Sequence, residues 1–329
     1  MPKIRTGVIG VGHLGQHHAR LYAALPESQL VGLFDADPER ARLIAERHGG
    51  LVFSRLDELI DSVQAVSVAV PTTAHYEVTK RCLDRGRHVL VEKPIAARLA
   101  EARELVRLAA ERGCILQVGH SERFNPVMLA ARPHIDAPSF IECHRLSSFG
   151  ERGTDVDVIL DLMIHDLDMV LSFNPGPVEE VRAAGVPVLS SHVDIANARI
   201  QFGGGCVANL TSSRVSMNRM RRLRVFQRDR YVSVDYQTRH AVVYRRRTDQ
   251  GAKPQLDMEQ LVGSDEEPLK LQLQSFLASV MTGAPAAVSG EAGTAALALA
   301  YQVREAIDSF LRRQQQASPS GSASRGADA

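Results

Sequence analysis

The segment IRTGVIGVGHLG, residues 4–15, constrains the chain more than any other. A short apolar run, Ile4 to Ile9, leads into Gly10, Gly12 and Gly15, which spell G-x-G-x-x-G, and a helical stretch from Gly15 to Ala24 follows. A strand, a glycine turn and a helix in that order cradle the phosphates of a dinucleotide. Gly10 permits the tight turn, Gly12 lets the backbone approach a pyrophosphate, and Gly15 lets helix and strand pack closely. The helix N-terminus then presents unpaired N–H groups to the phosphates. Asp35 stands 20 positions after Gly15, at the end of a second strand, Gln29 to Phe34. A carboxylate there accepts hydrogen bonds from both ribose hydroxyls of NAD and repels the 2′-phosphate of NADP. NAD is therefore the expected cofactor and NADP the less favoured one, with Arg40 the nearby residue that would soften the choice. His13, His17 and His18 in and after the turn read as loop and surface histidines rather than metal ligands.

The first third of the chain continues to alternate. Helices are expected over Pro38 to His48, Leu56 to Ser62, Tyr76 to Asp84 and Ala97 to Arg112. Strands are expected over Ala65 to Val70, His88 to Val91 and Ile115 to Val118. Repeated βαβ units imply a doubly wound parallel sheet with helices on both faces. After about residue 120 the pattern changes. One helix, Asp157 to Phe173, precedes six strand-like segments: Val178 to Val188, Val193 to Phe202, Cys206 to Val215, Arg221 to Gln227, Tyr231 to Tyr236 and Ala241 to Arg246. Strands in succession form an antiparallel sheet, so an α/β fold is expected, an N-terminal Rossmann domain followed by an α+β domain with a large open sheet. Residues 1–120 are assigned to the cofactor domain and 121–289, including a helix over Pro268 to Gly283, to a substrate and oligomerisation domain. A last helix, about 290–311, is expected to pack back on the first domain, and the polar segment 312–329 to be a flexible tail.

Bulk properties exclude several classes. The formal net charge of +1 lacks the basic excess of a phosphate-gripping nucleic-acid binder. No apolar run reaches the roughly 18 residues of a membrane span. Few residues precede the first strand, so no cleaved leader is expected. Cys82, Cys114, Cys143 and Cys206 lie far apart and read as reduced thiols of a cytoplasmic protein, not as a disulfide or zinc framework.

Four markers occur in order: the GVGHLG turn, PTTAHYE at 71–77, EKP at 92–94 and DLMIHDLD at 161–168. Together they resemble the Gfo/Idh/MocA oxidoreductases, the glucose–fructose oxidoreductase and inositol dehydrogenase group, from Lys3 to about Phe310. The resemblance places Gly10, Gly12, His13, Leu14, Gly15, Asp35, Pro71, Thr72, His75, Glu92 and Lys93 around the cofactor. It also implies a Lys93–Pro94 bond that is commonly cis. Lys93 follows a parallel strand, so it emerges at the sheet edge where such folds bind ligands. Asp161, His165 and Asp168 fall at i, i+4 and i+7 and are expected on one helix face. The family signature, an Asp four residues before a His, makes His165 the acceptor of the substrate hydroxyl proton. It makes Asp161 the residue that orients His165, and gives Lys93 a hydrogen bond to the same hydroxyl. A polar helix face, or a metal site of two carboxylates and a histidine, are the competing readings. Which carboxylate meets the imidazole stays open.

QVGHSERFNP at 117–126 and SSRVSMNRMRRLRVF at 212–226 resemble one branch of the family, the UDP-N-acetylglucosamine 3-dehydrogenases linked to lipid A synthesis. That branch oxidises the sugar C3 hydroxyl to a ketone, which a partner aminotransferase converts to an amine. Arg123 and Asn125 become candidate substrate contacts beside Asp161 and His165. Arg214, Arg219, Arg221, Arg222, Arg224, Arg228 and Arg230 crowd the second domain, where a solvated or subunit-facing strand surface is the simpler account. Alternatives within the family are an inositol or other sugar dehydrogenase, a non-catalytic dinucleotide-binding regulator, and a glycosidase using transient oxidation. The family also implies a homodimer or homotetramer built through the open sheet.

Overall fold

Unbroken β-branched runs cannot leave one face in water, and the N-terminal strands accordingly lie buried between helices. In the computed structural model, which describes residues 3–149, 157–247 and 255–317, six strands form one parallel sheet. They are β1 (Ile4–Ile9), β2 (Ser28–Phe34), β3 (Leu51–Val52), β4 (Ala65–Val68), β5 (His88–Glu92) and β6 (Leu116–Gly119), in the order β3-β2-β1-β4-β5-β6. Helices α1 (Gly15–Ala24), α2 (Pro38–His48), α3 (Leu56–Ser62), α4 (Thr72–Asp84) and α5 (Leu99–Arg112) connect them. The strand order reverses between β1 and β4, which opens a crevice at the carboxyl ends of those strands. Local chemistry sets the boundaries. At α2 the Asp37 carboxylate accepts hydrogen bonds from the amides of Glu39 (3.1 Å) and Arg40 (3.2 Å), Pro38 opens the first turn, and Gly49 closes the helix at φ +84°.

The second sheet has eight strands. A short helix α6 (Pro126–Ala131) leads to β7 (Phe140–Leu146). A π-helical turn, Ile159–Met163, then runs into α7 (Ile164–Leu171). There follow β8 (Val178–Val186), β9 (Ile195–Phe202), β10 (Val207–Ser213), β11 (Met220–Phe226), β12 (Arg230–Asp235), β13 (His240–Arg247) and β14 (Gln255–Val262). The order is β14-β13-β12-β11-β7-β10-β9-β8, antiparallel throughout except for β7 with β10. Two strands, β7 at the centre and β14 at the edge, go beyond the sequence reading. Residues alternate along β9, with Ala196, Ala198, Ile200 and Phe202 buried. They join a core with Ile164, Leu167 and Val170 of α7. On the opposite face Phe140, Phe226, Tyr231 and Tyr244 form a row of rings 4.7–5.7 Å apart.

Two closing helices tie the sheets together. In α8 (Pro268–Thr282), Leu273, Phe276 and Leu277 pack with Val8, Tyr22 and Leu33. This helix, expected with the second unit, therefore completes a face of the first sheet. In α9 (Gly290–Ala317), Leu297 joins the core around Val89 and Val118, whereas Ala300, Val303 and Ile307 join the core of the second sheet. The helix also runs past the expected start of the tail at 312, and the remainder, 318–329, lies outside the described residues. Among the described residues no helix is long and apolar enough to cross a membrane.

Candidate functional site

The glycine turn is built as its spacing requires. Gly10 has φ +82°, and a Cβ there would lie 2.7 Å from the Ala69 carbonyl oxygen. A Cβ at Gly15 would lie 1.8 Å from the Gly10 oxygen, so no side chain fits. At Gly12 a Cβ would meet nothing within 4 Å, which leaves bare backbone facing the crevice. Asp35 is held beside the turn. Its carboxylate accepts from the Val11 amide at 2.7 Å and the Asp37 amide at 2.9 Å, with an Arg40 guanidinium nitrogen at 3.4 Å. Gly12, His13, Leu14, Asp35 and Pro71 border a cavity of about 630 Å³. The bare backbone, the oriented carboxylate and a space of this size together fit a dinucleotide.

That cavity shares Leu14, Ala69, Val70 and Pro71 with a second, of about 400 Å³, which Thr72, Glu92, Lys93, Pro94 and Asp161 also border. His75 is 1% exposed there. Its ring nitrogens lie 2.7 Å from the Pro94 oxygen and 2.9 Å from the Val70 oxygen, so it ties together the two strand-end loops. Burial lowers its pKa, opposed by those two carbonyls. The Lys93–Pro94 bond is cis.

A third cavity, about 280 Å³, opens from the second and shares Leu14, Glu92, Lys93 and Asp161 with it. His165, Arg145, Arg221, Glu122 and Ser121 also border it. Lys93 Nζ donates to the Asp161 carbonyl oxygen at 2.7 Å and lies 3.5 Å from its carboxylate. The His165 Nδ1 is buried without a hydrogen-bond partner among the described residues, and the ring stands edge-on to His120 at 6.1 Å. Burial, then the charges of Lys93, Arg145, His120 and Arg221, push the His165 pKa well below the ordinary histidine value. Burial likewise lowers that of His120. The imidazole of His165 is thus neutral, and neighbouring cations keep it so.

Several expectations need correction. The three polar residues of the helix do not share a face toward the cleft. Asp168 is 1% exposed and paired with Arg123 at 2.6 Å, so neither Asp168 nor Arg123 borders the cavity that holds His165. Arg123 instead faces a separate cavity with Met128 and Leu129. Asn125 caps α6 by accepting from the Val127 amide at 3.3 Å. Asp161 meets Lys93 rather than His165, and among the described residues no carboxylate reaches the imidazole. The π-helical turn explains the lost register: it adds about one residue per turn between Asp161 and α7. No cluster of three metal-ligating side chains occurs among the described residues. His18, expected at the surface, is wholly buried between Ser67 (2.9 Å) and Glu92 (3.1 Å). Burial opposes ionisation of Glu92. The hydrogen bond from His18, that imidazole's field and Lys93 outweigh burial and hold the Glu92 pKa below the ordinary value.

Arg145 lies in no motif, and Ser121 and Glu122, inside the 117–126 motif, were passed over there for Arg123 and Asn125. Arg145 is buried on β7, paired with Asp166 at 2.8 and 3.0 Å and with Glu122 at 2.9 Å. Arg221 is its cross-strand partner on β11, on the same face but 54% exposed, with Glu122 no nearer than 3.8 Å.

Comparison with known proteins gives concordant results. Residues 4–120 match the model described as the oxidoreductase family, NAD-binding Rossmann fold. Residues 128–230 match the GFO/IDH/MocA C-terminal domain. The chain is 40% identical to a UDP-N-acetylglucosamine 3-dehydrogenase of Acidithiobacillus ferrooxidans, over 95% of this chain and all of that one. It is 32% identical to an inositol 2-dehydrogenase of Rubrobacter xylanophilus, over 65% of this chain and 66% of that one. The solved structure of UDP-N-acetylglucosamine 3-dehydrogenase GnnA from A. ferrooxidans superposes with TM-score 0.88 at 39% identity, covering 94% of this chain and 100% of that one. A levoglucosan dehydrogenase shares the fold, with TM-score 0.83 at 18% identity over 94% and 98% of the two chains.

Proposed function

Because the chain belongs to the Gfo/Idh/MocA family of NAD-binding oxidoreductases, we propose that it oxidises the C3 hydroxyl of UDP-N-acetylglucosamine to a ketone. The observation that carries this reading is the convergence of Lys93 and His165 on one cavity that opens from the dinucleotide cleft. The relative identical over 40% of aligned residues, which bears that activity in its name, supports the substrate.

Bound NAD supplies the hydride acceptor for the C3 hydrogen. The chain's own residues handle the proton and the oxygen. Lys93 donates a hydrogen bond to the hydroxyl oxygen, and Asp161 steadies the ammonium from the other side. His165 receives the hydroxyl proton at Nε2, since Nδ1 is enclosed. Its neutral state suits a base. Arg221 offers an exposed guanidinium for the substrate diphosphate, and Arg145, fixed by Asp166 and Glu122, sets the wall beside it. Asp35 selects NAD over NADP through the ribose hydroxyls, and Arg40 lies too close to that carboxylate to serve a 2′-phosphate without leaving it.

In this reading the enzyme works in the cytoplasm, where its free cysteines stay reduced. It feeds a 3-keto nucleotide sugar to an aminotransferase of lipid A synthesis, and it associates as a dimer or tetramer through the open face of the second sheet. The test is NADH formation at 340 nm with UDP-N-acetylglucosamine, free N-acetylglucosamine and myo-inositol. Turnover of the UDP-sugar far above the others is expected. Preference for inositol, or no turnover with any of them, would contradict the reading.

A further inference from the structure

A buried hydrogen-bond chain ends at the junction of the cofactor and substrate cavities. Tyr22 and His18 project from α1, Ser67 from β4 and Glu92 from the end of β5. The first three are wholly buried. Tyr22 Oη lies 2.9 Å from Ser67 Oγ, Ser67 Oγ 2.9 Å from His18 Nδ1, and His18 Nε2 3.1 Å from Glu92 Oε1.

Only one donor order satisfies this chain. In it Tyr22 donates to Ser67, Ser67 donates to Nδ1, and the Nε2–H of His18 donates to Glu92. In the reverse order a protonated Glu92 would start the chain, and the Tyr22 hydrogen would have no acceptor among the described residues. A buried hydroxyl left that way is costly. The chain therefore terminates on an ionised carboxylate, in keeping with the lowered pKa of Glu92. Room for that carboxylate comes from Gly119, where a Cβ would lie 2.8 Å from it. The neighbouring Lys93 ammonium is turned toward Asp161.

Asp35 marks the adenosine end of the cleft, and the cavities run from it past Leu14 and Pro71 to Glu92 and Lys93. The far end is where a nicotinamide ring would lie. That ring is cationic when oxidised and neutral when reduced. Resting on the dinucleotide reading above, we propose that Glu92 is a fixed negative charge at the nicotinamide end that binds NAD⁺ in preference to NADH. His18, Ser67 and Tyr22 act as positioning residues that keep it ionised and aimed. In a water-poor cleft such a charge acts more strongly than in solvent. It makes hydride uptake by the bound cofactor harder and product NADH easier to release.

The test is equilibrium binding, measured separately for NAD⁺ and NADH by calorimetry on the full chain. Glu92→Gln is expected to raise the NAD⁺ dissociation constant relative to that of NADH about tenfold, which corresponds to about 30 mV in the two-electron potential of the bound pair. Glu92→Asp keeps the charge and is expected to keep the ratio near wild type although it packs less well. A merely structural role predicts the opposite ranking. If Glu92→Gln does not fold, His18→Leu replaces it: the hydrogen bond that helps to keep Glu92 ionised is lost, and the same drop in NAD⁺ preference is expected. A ratio unchanged in the folded variant overturns the proposal. Absence of binding of both cofactors to wild type overturns the dinucleotide reading and this proposal with it.

Discussion

His165 is neutral because burial and the neighbouring cations Lys93, Arg145 and Arg221 disfavour its protonated form. A general base works deprotonated, and a lowered pKa keeps it deprotonated further into acid. The acid limb of kcat/KM is therefore expected below pH 6.5, the ordinary histidine value being about 6.5. Arg221→Gln removes one of those cations and should move the limb upward. The same variant should raise KM for UDP-N-acetylglucosamine about tenfold or more with little change in kcat, because a charge-assisted bond to phosphate is worth about 1.5–3 kcal/mol. A steady-state pH series on the two proteins checks both. A limb above 6.5, or an unchanged KM, would count against the roles given to His165 and Arg221. At this scale the sequence exposed the turn, Asp35, Lys93 and His165, whose motifs are contiguous. It hid Arg145 and the pairing of Glu122 with it, because the two meet only in a buried ion pair between distant segments.

Elements were legible in proportion to how regular their burial is. Helices with caps and strands with unbroken apolar content fell close to their expected bounds, as at α2 and β4. Strand β7 did not, although it lies at the centre of its sheet. Its inward positions are Ile141, Cys143 and Arg145, and a buried arginine breaks the apolar alternation that marks a strand. Strand β14 is exposed along nearly its whole length and has no alternation to read. The segment from Asp157 to α7 misled through its π-helical turn, which shifts the phase between Asp161 and Asp168. The inward arginine of β7 has an energetic consequence. Removing one partner of a buried ion pair strands the other charge, so Asp166→Asn should destabilise the protein by about 3–5 kcal/mol. Urea unfolding measures this, and a loss under about 1 kcal/mol would show that Glu122 alone suffices for Arg145.

The molecule as a whole is closed by its last two helices. α8 completes a face of the first sheet, and α9 contributes to both cores, so the two sheets are expected to unfold in one transition. Composition divides the chain at residue 120, and only the last helix was expected to return; that α8 also does so was not legible, because an apolar helix face does not announce its partner. Three histidines from this joined interior, His75, His120 and His165, have pKa values lowered chiefly by burial. The unfolded chain binds protons at these residues below pH 6.5 and the folded one does not. Stability is then fully present above that pH. It falls as pH drops below 6.5 toward the lowered values, by up to about 1.4 kcal/mol per pH unit for each group. Thermal unfolding between pH 5 and 8 should show this slope as one transition, and a flat profile would contradict the neutral state of these rings.

In the proposed oxidation His165, facing a cavity that opens from the dinucleotide cleft, takes the proton of the nucleotide-sugar hydroxyl. The most direct measurement compares wild type with His165→Ala for NADH formation from UDP-N-acetylglucosamine, with NAD binding followed by thermal shift on the same samples. A fall in kcat of about 10²–10⁴ is expected in the variant, with NAD binding retained. A variant that binds NAD and turns over the UDP-sugar at the wild-type rate would contradict it.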